Sequence, residues 1–131
     1  MQVIKSNEIV FFDVDDTLVV WGDTNPEEKI PITVNHFDNE DDGPINLGFT
    51  EYLVPHKVHI EQLKKHKANG ATIVVWSQGG WRWSQAVVNA LGLAEFVDLA
   101  MSKPTWAYDD LPAHEFIGKT IWMPYWEIKN G

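Results

Sequence analysis

The sequence predicts an α/β fold in which a parallel sheet carries helices on both faces and a β-hairpin flap extends from the domain. Residues 9–14 and 71–76 are apolar runs, rich in β-branched side chains, of the kind that form buried parallel strands. Helical patterns lie before and after the second run, so strands and helices alternate along the chain. This alternation predicts a parallel sheet, because a crossover between parallel strands needs room for a helix.

The flap is predicted between residues 20 and 55, where turn-forming residues are frequent. Residues 30–34 alternate apolar and polar side chains, as a half-exposed strand does, and residues 45–49 alternate in a similar way. An acidic stretch, residues 38–44, joins the two and has strong turn chemistry. Together these segments predict a hairpin inserted into the main domain.

Two helices and several short strands complete the predicted domain. The first helix spans residues 56–69 and ends at Gly70, and the second follows from apolar residues at helical spacing from Trp83 to Leu91, with Gly92 as its stop. Short strands are predicted at residues 97–100 and 106–109, with an edge strand at 120–123.

Length and composition predict one small domain, residues 1–131, with the flap as an insertion. The chain has no cysteine, which excludes disulfides and thiolate metal sites. It starts at Met1 without a basic and apolar leader and has no bilayer-length apolar run, so we expect a soluble cytoplasmic protein. The net charge of −9 disfavours long nucleic acids and is easier to reconcile with a small phosphorylated substrate.

Two carboxylates and a hydroxyl follow the first strand. Asp13, Asp15 and Thr17 are spaced two residues apart at the end of the apolar run. The two aspartates are expected to leave the strand close together, where their like charges repel unless a cation lies between them. This arrangement favours a divalent metal and a phosphate substrate, and the plainer alternative is an acidic strand-to-loop turn.

Polar residues also follow the later strands. Ser77 ends the second core strand and, with Gln78 and Gly79, offers a hydroxyl and backbone N–H groups to a phosphate at a helix N-terminus. The alternative for this serine is a simple helix N-cap. Lys103 follows the third predicted strand, and Asp109-Asp110 follows the fourth. Each signal is weak alone, because a lone lysine is usually a surface charge and paired aspartates usually mark a turn.

The order of these four groups resembles the motif series of the haloacid dehalogenase superfamily, in its phosphatase branch. Asp-x-Asp-x-Thr, a serine at a strand end, Lys-Pro and Asp-Asp follow one another between residue 9 and about residue 118. The local forms resemble those of small bacterial and phage-type members with a minimal cap, which implies a Rossmann-like sheet. The intervals between the motifs are too short for an ordinary cap domain, so we expect an open site.

The resemblance implies roles for individual residues. Asp13 would attack phosphorus to give an aspartyl-phosphate, and Asp15 would protonate the leaving oxygen and then activate water. Ser77 and Lys103 would bind phosphoryl oxygens, with Lys103 also balancing the clustered negative charge. Thr17 would fix the turn after the nucleophile.

Mg²⁺ is the cofactor that the resemblance implies. Its ligands would be the Asp13 carboxylate, the backbone carbonyl of Asp15 and Asp109, with waters completing an octahedron. Asp110 would either bind the ion or orient a ligand. The expected activity is Mg²⁺-dependent hydrolysis of a small phosphomonoester. The alternatives are a polynucleotide 3′-phosphatase or nucleotidase, and a phosphate- or metal-binding module of the same fold without turnover.

Two kinds of side chain near the motifs have open interpretations. Arg82, the only arginine, lies one turn into the second predicted helix and would clamp a substrate phosphate or carboxylate unless it is a surface charge. Trp21 and Trp81 lie beside motif residues, where stacking on a base or sugar is the alternative to the packing role that we favour. The histidines of the first helix are not predicted to bind zinc, because no fourth ligand is near in sequence.

Overall fold

A computed structural model describes residues 8–22, 27–35, 48–121 and 123. Its elements, in chain order, are β1 (Ile9–Asp13), β2 (Val19–Val20), β3 (Ile30–Val34), β4 (Phe49–Pro55), α1 (Lys57–Ala68), β5 (Thr72–Ser77), α2 (Trp81–Ala90), β6 (Leu99–Ser102) and the single turn α3 (Ala113–Phe116). Among the described residues, no helix is long and apolar enough to cross a membrane.

The core of the fold is a parallel sheet of three strands in the order β1-β5-β6, which confirms the predicted α/β class. The central strand β5 pairs with both neighbours in continuous register. Asp13 at the end of β1 lies opposite Trp76, and Ser77 at the end of β5 lies opposite Ser102. The carboxyl ends of all three strands therefore meet at one edge of the sheet.

The described helices α1 and α2 pack on one face of this sheet, so the prediction of helices on both faces is wrong for this part of the chain. Leu63 of α1 and Val87 of α2 join Phe12 and Val75 in the same buried cluster. The opposite face carries Phe11, which is 46% exposed. The strand order explains the difference, because two successive right-handed crossovers in one direction place both helices on the same side.

The flap is a second sheet, antiparallel, in the order β2-β4-β3. Ile30 lies opposite Leu53 and Val34 lies opposite Phe49, so the predicted hairpin and its first strand are confirmed. The described second strand runs from Phe49 to Pro55, whereas the sequence predicts a strand at residues 45–49. The sequence misses it because Leu53 and Val54 are both buried, which removes the alternation that marks a half-exposed strand. Residues 45–47 and the acidic stretch 38–44 lie outside the described residues.

Both predicted helices are present with nearly the predicted bounds. The imidazole of His56 caps α1 by accepting a hydrogen bond from the backbone N–H of His59, at 3.2 Å. Gly70 and Gly92 follow α1 and α2 with φ of +92° and +68°, a region that costs other residues steric strain.

The chain after β6 differs from its prediction. The expected strand at residues 106–109 is not formed, and residues 120, 121 and 123 are not in a strand either. Every residue from 104 to 121 is exposed, including the rings of Trp106 and Tyr108. The run Trp-Ala-Tyr-Asp has aromatic residues but no β-branched ones, and among the described strands it has no partner to hold it extended.

Candidate functional site

Three predicted site residues meet at the carboxyl edge of the parallel sheet. Asp13 ends β1, Ser77 ends β5, and Lys103 directly follows β6. The backbone N–H of Lys103 donates to the carbonyl of Ser77 at 2.9 Å, so it extends the β5–β6 ladder by one step. The lysine is therefore fixed in register with the strand ends rather than free in a loop.

Asp13 is held by two groups. The ammonium of Lys103 lies 3.1 Å from its Oδ1, and the hydroxyl of Thr17 donates to its Oδ2 at 3.3 Å. The Asp13 and Lys103 side chains keep 34% and 30% of their surface exposed, respectively. A carboxylate that is oriented on both oxygens and still reachable from solvent can act as a nucleophile on a bound ester.

The loop after β1 is a tight turn that aims Thr17 back at Asp13. The carbonyl of Val14 accepts the backbone N–H of Leu18 at 2.9 Å, and the N–H of Asp16 donates to the carbonyl of Val19 at 2.7 Å. Asp16 adopts φ of +60°, a conformation that aspartate tolerates better than most residues. The turn therefore explains why a hydroxyl four residues after Asp13 reaches its carboxylate.

Asp15 accepts three hydrogen bonds from side chains. The indole N–H groups of Trp21 and Trp83 both donate to its Oδ1, at 2.8 and 3.1 Å. The hydroxyl of Ser77 donates to its Oδ2 at 3.3 Å. Since each carboxylate oxygen offers two lone pairs, Oδ1 has both directions used and Oδ2 keeps one available for a substrate or water.

The serine and glycines after β5 form a compact turn into α2. The backbone N–H of Gly79 donates to the buried Ser77 hydroxyl at 2.9 Å. A Cβ atom on Gly79 would lie 3.2 Å from the ring of Trp83 and 3.3 Å from the Ser77 hydroxyl, so this close approach favours glycine. Gln78 is exposed beside them. The Gly79 N–H is thus occupied by Ser77, unlike the open anion cradle that the sequence predicts.

The remaining predicted site residues belong to α2 (Arg82) and to the exposed stretch after β6 (Asp109 and Asp110). The Arg82 guanidinium lies over the ring of Trp81 at 5.3 Å. Asp109 accepts the backbone N–H of Leu111 at 2.9 Å in the exposed stretch after β6, where Asp110 is also exposed. In the described part of the chain, no three His, Cys, Asp or Glu side chains come together as a group that could hold a metal ion.

Two buried histidines connect the Asp13 loop to a residue near the C-terminus. The Nδ1 of His59 lies 2.7 Å from the carbonyl of Thr17, and the backbone N–H of Met123 donates to its Nε2 at 3.1 Å. The Nε2 of His56 lies 2.9 Å from the carbonyl of Met123. The backbone N–H of His56 donates to the carbonyl of Leu18 at 2.9 Å. We call His56 and His59, with the backbone of Met123 between them, the histidine clamp.

The hydrogen bonds of the clamp indicate which nitrogen of each ring accepts and which donates. Because the N–H of Met123 points at Nε2 of His59, that nitrogen is an acceptor and Nδ1 carries the proton donated to Thr17. Nδ1 of His56 accepts from a backbone N–H, so its Nε2 donates to Met123. The two rings stack with centroids 3.9 Å apart. A second proton on either ring would place a ring N–H directly against the backbone N–H that donates to that nitrogen, so two donors would face each other.

Burial of His59 lowers its pKa below the usual 6.5, because the charged form loses hydration. Its hydrogen bond to the Thr17 carbonyl acts in the opposite direction, and the nearby His56 adds to the lowering. The neutral form of His59 is therefore the one that supports the Asp13 loop at neutral pH.

Comparisons with protein-family models, with curated proteins and with solved structures found no match to this chain.

Sequence reasoning missed Trp83 and the histidine clamp. The sequence places Trp83 on the apolar face of α2. Its indole N–H donates to Asp15, which lies 68 residues earlier in the chain, so no local pattern indicates the contact. A His-x-x-His pair directly before and within the first turn of a helix is a visible signal for the clamp. Only the fold shows that the His59 ring contacts the Asp13 loop and that the His56 ring contacts Met123.

We expect the clamp to make stability depend on pH. Unfolded His59 takes up a proton near pH 6.5, whereas the folded state takes it up only at a lower pH, so the stabilisation is complete above pH 6.5 and is lost as pH falls below it. The wild-type free energy of unfolding, measured with urea at pH 7.5 and pH 5.5, should therefore decrease on acidification.

His59→Gln should lower the free energy of unfolding at pH 7.5 by about 1–3 kcal/mol, because the buried partners of the ring lose a hydrogen bond to one of its nitrogens. The variant should also show a smaller dependence of the free energy of unfolding on pH. His114→Gln, in exposed α3, is the matched control and should keep the wild-type dependence. An unchanged pH dependence in His59→Gln would contradict the assignment.

Proposed function

We propose that this protein hydrolyses phosphomonoesters through a covalent phosphoryl intermediate on Asp13. The observation that carries the proposal is the pairing of an accessible carboxylate, Asp13, with Lys103 and Thr17, directly beside a second carboxylate, Asp15. The resemblance of the motif order to the haloacid dehalogenase phosphatases supports the same reaction class. The contacts of Asp13 do not involve Asp109, whereas the motif series includes Asp109-Asp110 as its fourth group.

In the proposed first step, an Asp13 oxygen attacks phosphorus and forms a P–O bond while the bond from phosphorus to the ester oxygen breaks. The leaving oxygen takes a proton from Asp15 and departs as an alcohol. The free lone pair of Asp15 is on Oδ2, which is therefore the oxygen that carries this proton. Lys103 offsets the negative charge brought by the phosphoryl group, and its ammonium already lies at the nucleophile.

In the second step, a water molecule attacks the phosphoryl group and the bond between Asp13 and phosphorus breaks. Asp15, now ionised, takes a proton from that water, and phosphate leaves with the Asp13 carboxylate regenerated. The bonds to Trp21 and Trp83 hold Asp15 in one orientation through both proton transfers. The same carboxylate thus serves as acid and then as base without moving.

The predicted Mg²⁺ ligands do not come together as a set in the described residues. Asp13 and Asp15 lie at one sheet edge, but no third carboxylate joins them there, so the residues present do not fit the predicted site and no step above uses the ion. The Mg²⁺ requirement remains a prediction from the motif resemblance, with Asp109 as the ligand on which it depends.

The direct test is hydrolysis of p-nitrophenyl phosphate with and without Mg²⁺. Wild-type protein should release p-nitrophenolate, and Asp13→Asn should lose this activity because the amide is a poor nucleophile. Glu115→Gln, an isosteric change in exposed α3, is the control for removing a carboxylate and should keep wild-type turnover.

If no ester is hydrolysed under either condition, or if Asp13→Asn turns over like the wild type, the proposal fails. A protein that binds phosphate without turnover would be a binding module instead. Asp109→Ala tests the metal assignment separately, since it should remove any Mg²⁺ stimulation while Glu115→Gln keeps it.

The role of Asp15 predicts a dependence on the leaving group. Asp15→Asn should reduce kcat/KM for an ester of a simple alcohol by about 10²–10⁴-fold, because that oxygen needs protonation as it leaves. The loss should be much smaller for p-nitrophenyl phosphate, whose leaving anion is stable without a proton. Steady-state kinetics on both esters measure the ratio, and equal losses would exclude a general acid at Asp15.

A further inference from the structure

The carboxylate of Asp15 is bonded to an aromatic side chain, Trp21, that is held in place. Trp21 is tied by two hydrogen bonds, from its backbone N–H to Asp16 at 3.1 Å and from its indole N–H to Asp15 at 2.8 Å. Its ring is nevertheless 40% exposed. The ring is thus held in one orientation with a substantial part of its surface open, whereas an unpaired surface tryptophan is free to turn.

Further aromatic rings continue this surface. The centroids of Trp21 and Trp83 are 6.4 Å apart, and Phe49 at the start of β4 stacks on Trp83 with centroids 6.1 Å apart. Phe49 is 46% exposed. The exposed rings come from the flap side of the molecule, so the flap forms one side of the site.

A cavity of about 270 Å³ lies against the same tryptophan. Its walls include Trp21, Tyr52, Lys29 and Glu51, which combine two aromatic rings with a cation and an anion. Ligand sites for small molecules commonly show this combination of apolar walls and a few polar groups that fix orientation. A space of this size accommodates one planar ring system of one or two fused rings.

The position of Asp15 relates this cavity to the substrate. This step rests on the proposed function, in which Asp15 protonates the leaving oxygen. That oxygen must lie within hydrogen-bond reach of the Asp15 carboxylate, and Trp21 is bonded to the same carboxylate. With Lys103 on the phosphoryl group and Trp21 bonded to the carboxylate of the acid, the Trp21 ring is the neighbouring surface on which the alcohol part of the ester can pack.

We propose that the substrate is a phosphomonoester whose alcohol part carries a planar aromatic or heterocyclic ring, and that this ring stacks on Trp21 in the flap cavity. Stacking on a preoriented ring loses little conformational entropy, and it is insensitive to the identity of the ring because every aromatic ring has a π-face. The edge of the bound ring faces Lys29 and Glu51, which provide polar contacts for discrimination among rings.

Adenosine 5′-monophosphate and ribose 5-phosphate form a matched pair of probes. Both esters join phosphate to the same primary alcohol of ribose, and only the first carries a ring. Wild-type kcat/KM should be at least about tenfold higher for the ring-bearing ester, with most of the difference in KM, as expected for one stacked base. Adenosine alone should bind detectably by calorimetry, and ribose should not.

Three variants separate the contributions of ring and N–H group. Trp21→Leu should remove most of the preference, whereas Trp21→Phe should keep the preference but lower kcat because Asp15 loses a donor. Trp81→Leu removes another exposed tryptophan, one that lies against Arg82, and should leave the preference unchanged. Tyr52→Leu changes the other aromatic wall of the cavity without removing a hydrogen bond to Asp15, and it should also reduce the preference.

The outcomes distinguish this inference from the proposed function. Turnover of both esters at equal kcat/KM, or a full preference in Trp21→Leu and Tyr52→Leu, would overturn the ring site while leaving the phosphatase proposal intact. Failure to hydrolyse any ester, including p-nitrophenyl phosphate, would overturn the phosphatase proposal. Adenosine binding that is lost in Trp21→Leu would then still support the ring site.

Discussion

Asp13 and Lys103 come from strands that do not touch each other, and the 3.1 Å contact between their side chains depends on the strand that lies between them. β5 pairs with β1 on one side and β6 on the other, and its Trp76 lies opposite both Asp13 and Met101. The Lys103 ammonium lies 5.9 Å from the centroid of that Trp76 ring. A shift of one residue in either pairing would move one of the two charged side chains to the other face of the sheet.

The same edge of the sheet brings a second set of contacts onto Asp15. Its partners come from three places: Trp21 from the end of β2, Ser77 from β5 and Trp83 from α2. The flap is therefore not a separate appendage, because one of its residues shares a carboxylate with the core. This arrangement links the acid of the proposed reaction to the surface on which we place the alcohol part of the substrate.

The Asp13 loop is also held by residues outside the parallel sheet. The ring of His59 joins the carbonyl of Thr17 to the backbone N–H of Met123, and the ring of His56 contacts the carbonyl of Met123. Residues far apart in sequence therefore share one hydrogen-bond network. The hydroxyl of Thr17 also bonds to Asp13, so the clamp is connected to the proposed nucleophile through one residue, Thr17. This provides a physical route by which acidification disturbs the site as well as the fold.

Much of the fold was predictable from local patterns, and the exceptions have tertiary causes. The strands around residues 9–13 and 72–77 and both long helices follow from apolar periodicity and glycine stops. The second flap strand was missed because its burial depends on contacts with two other strands. A strand was expected at residues 106–109 because the Asp109-Asp110 pair lies at their end, but these residues include no β-branched side chain.

The candidate site likewise contains residues that the sequence predicts and residues whose roles depend on tertiary contacts. Asp13, Thr17, Ser77 and Lys103 were predictable because strand ends of a parallel sheet must meet at one edge. Trp83, His56 and His59 were not, because their roles depend on which face of a helix points toward the first loop. Asp109 and Asp110 were grouped with the site on motif order, and the described residues do not bring them to it.

In the proposed reaction, Asp13 becomes covalently phosphorylated during turnover. The most direct measurement is acid quenching during steady-state hydrolysis of p-nitrophenyl phosphate, followed by peptide mass spectrometry, since acyl phosphates survive in acid and hydrolyse in base. We expect one phosphoryl group on the peptide that contains Asp13, its loss after mild alkaline treatment, and its absence in Asp13→Asn. A phosphoryl group on another residue, or turnover with an unmodified Asp13 peptide under conditions that slow the second step, would contradict it.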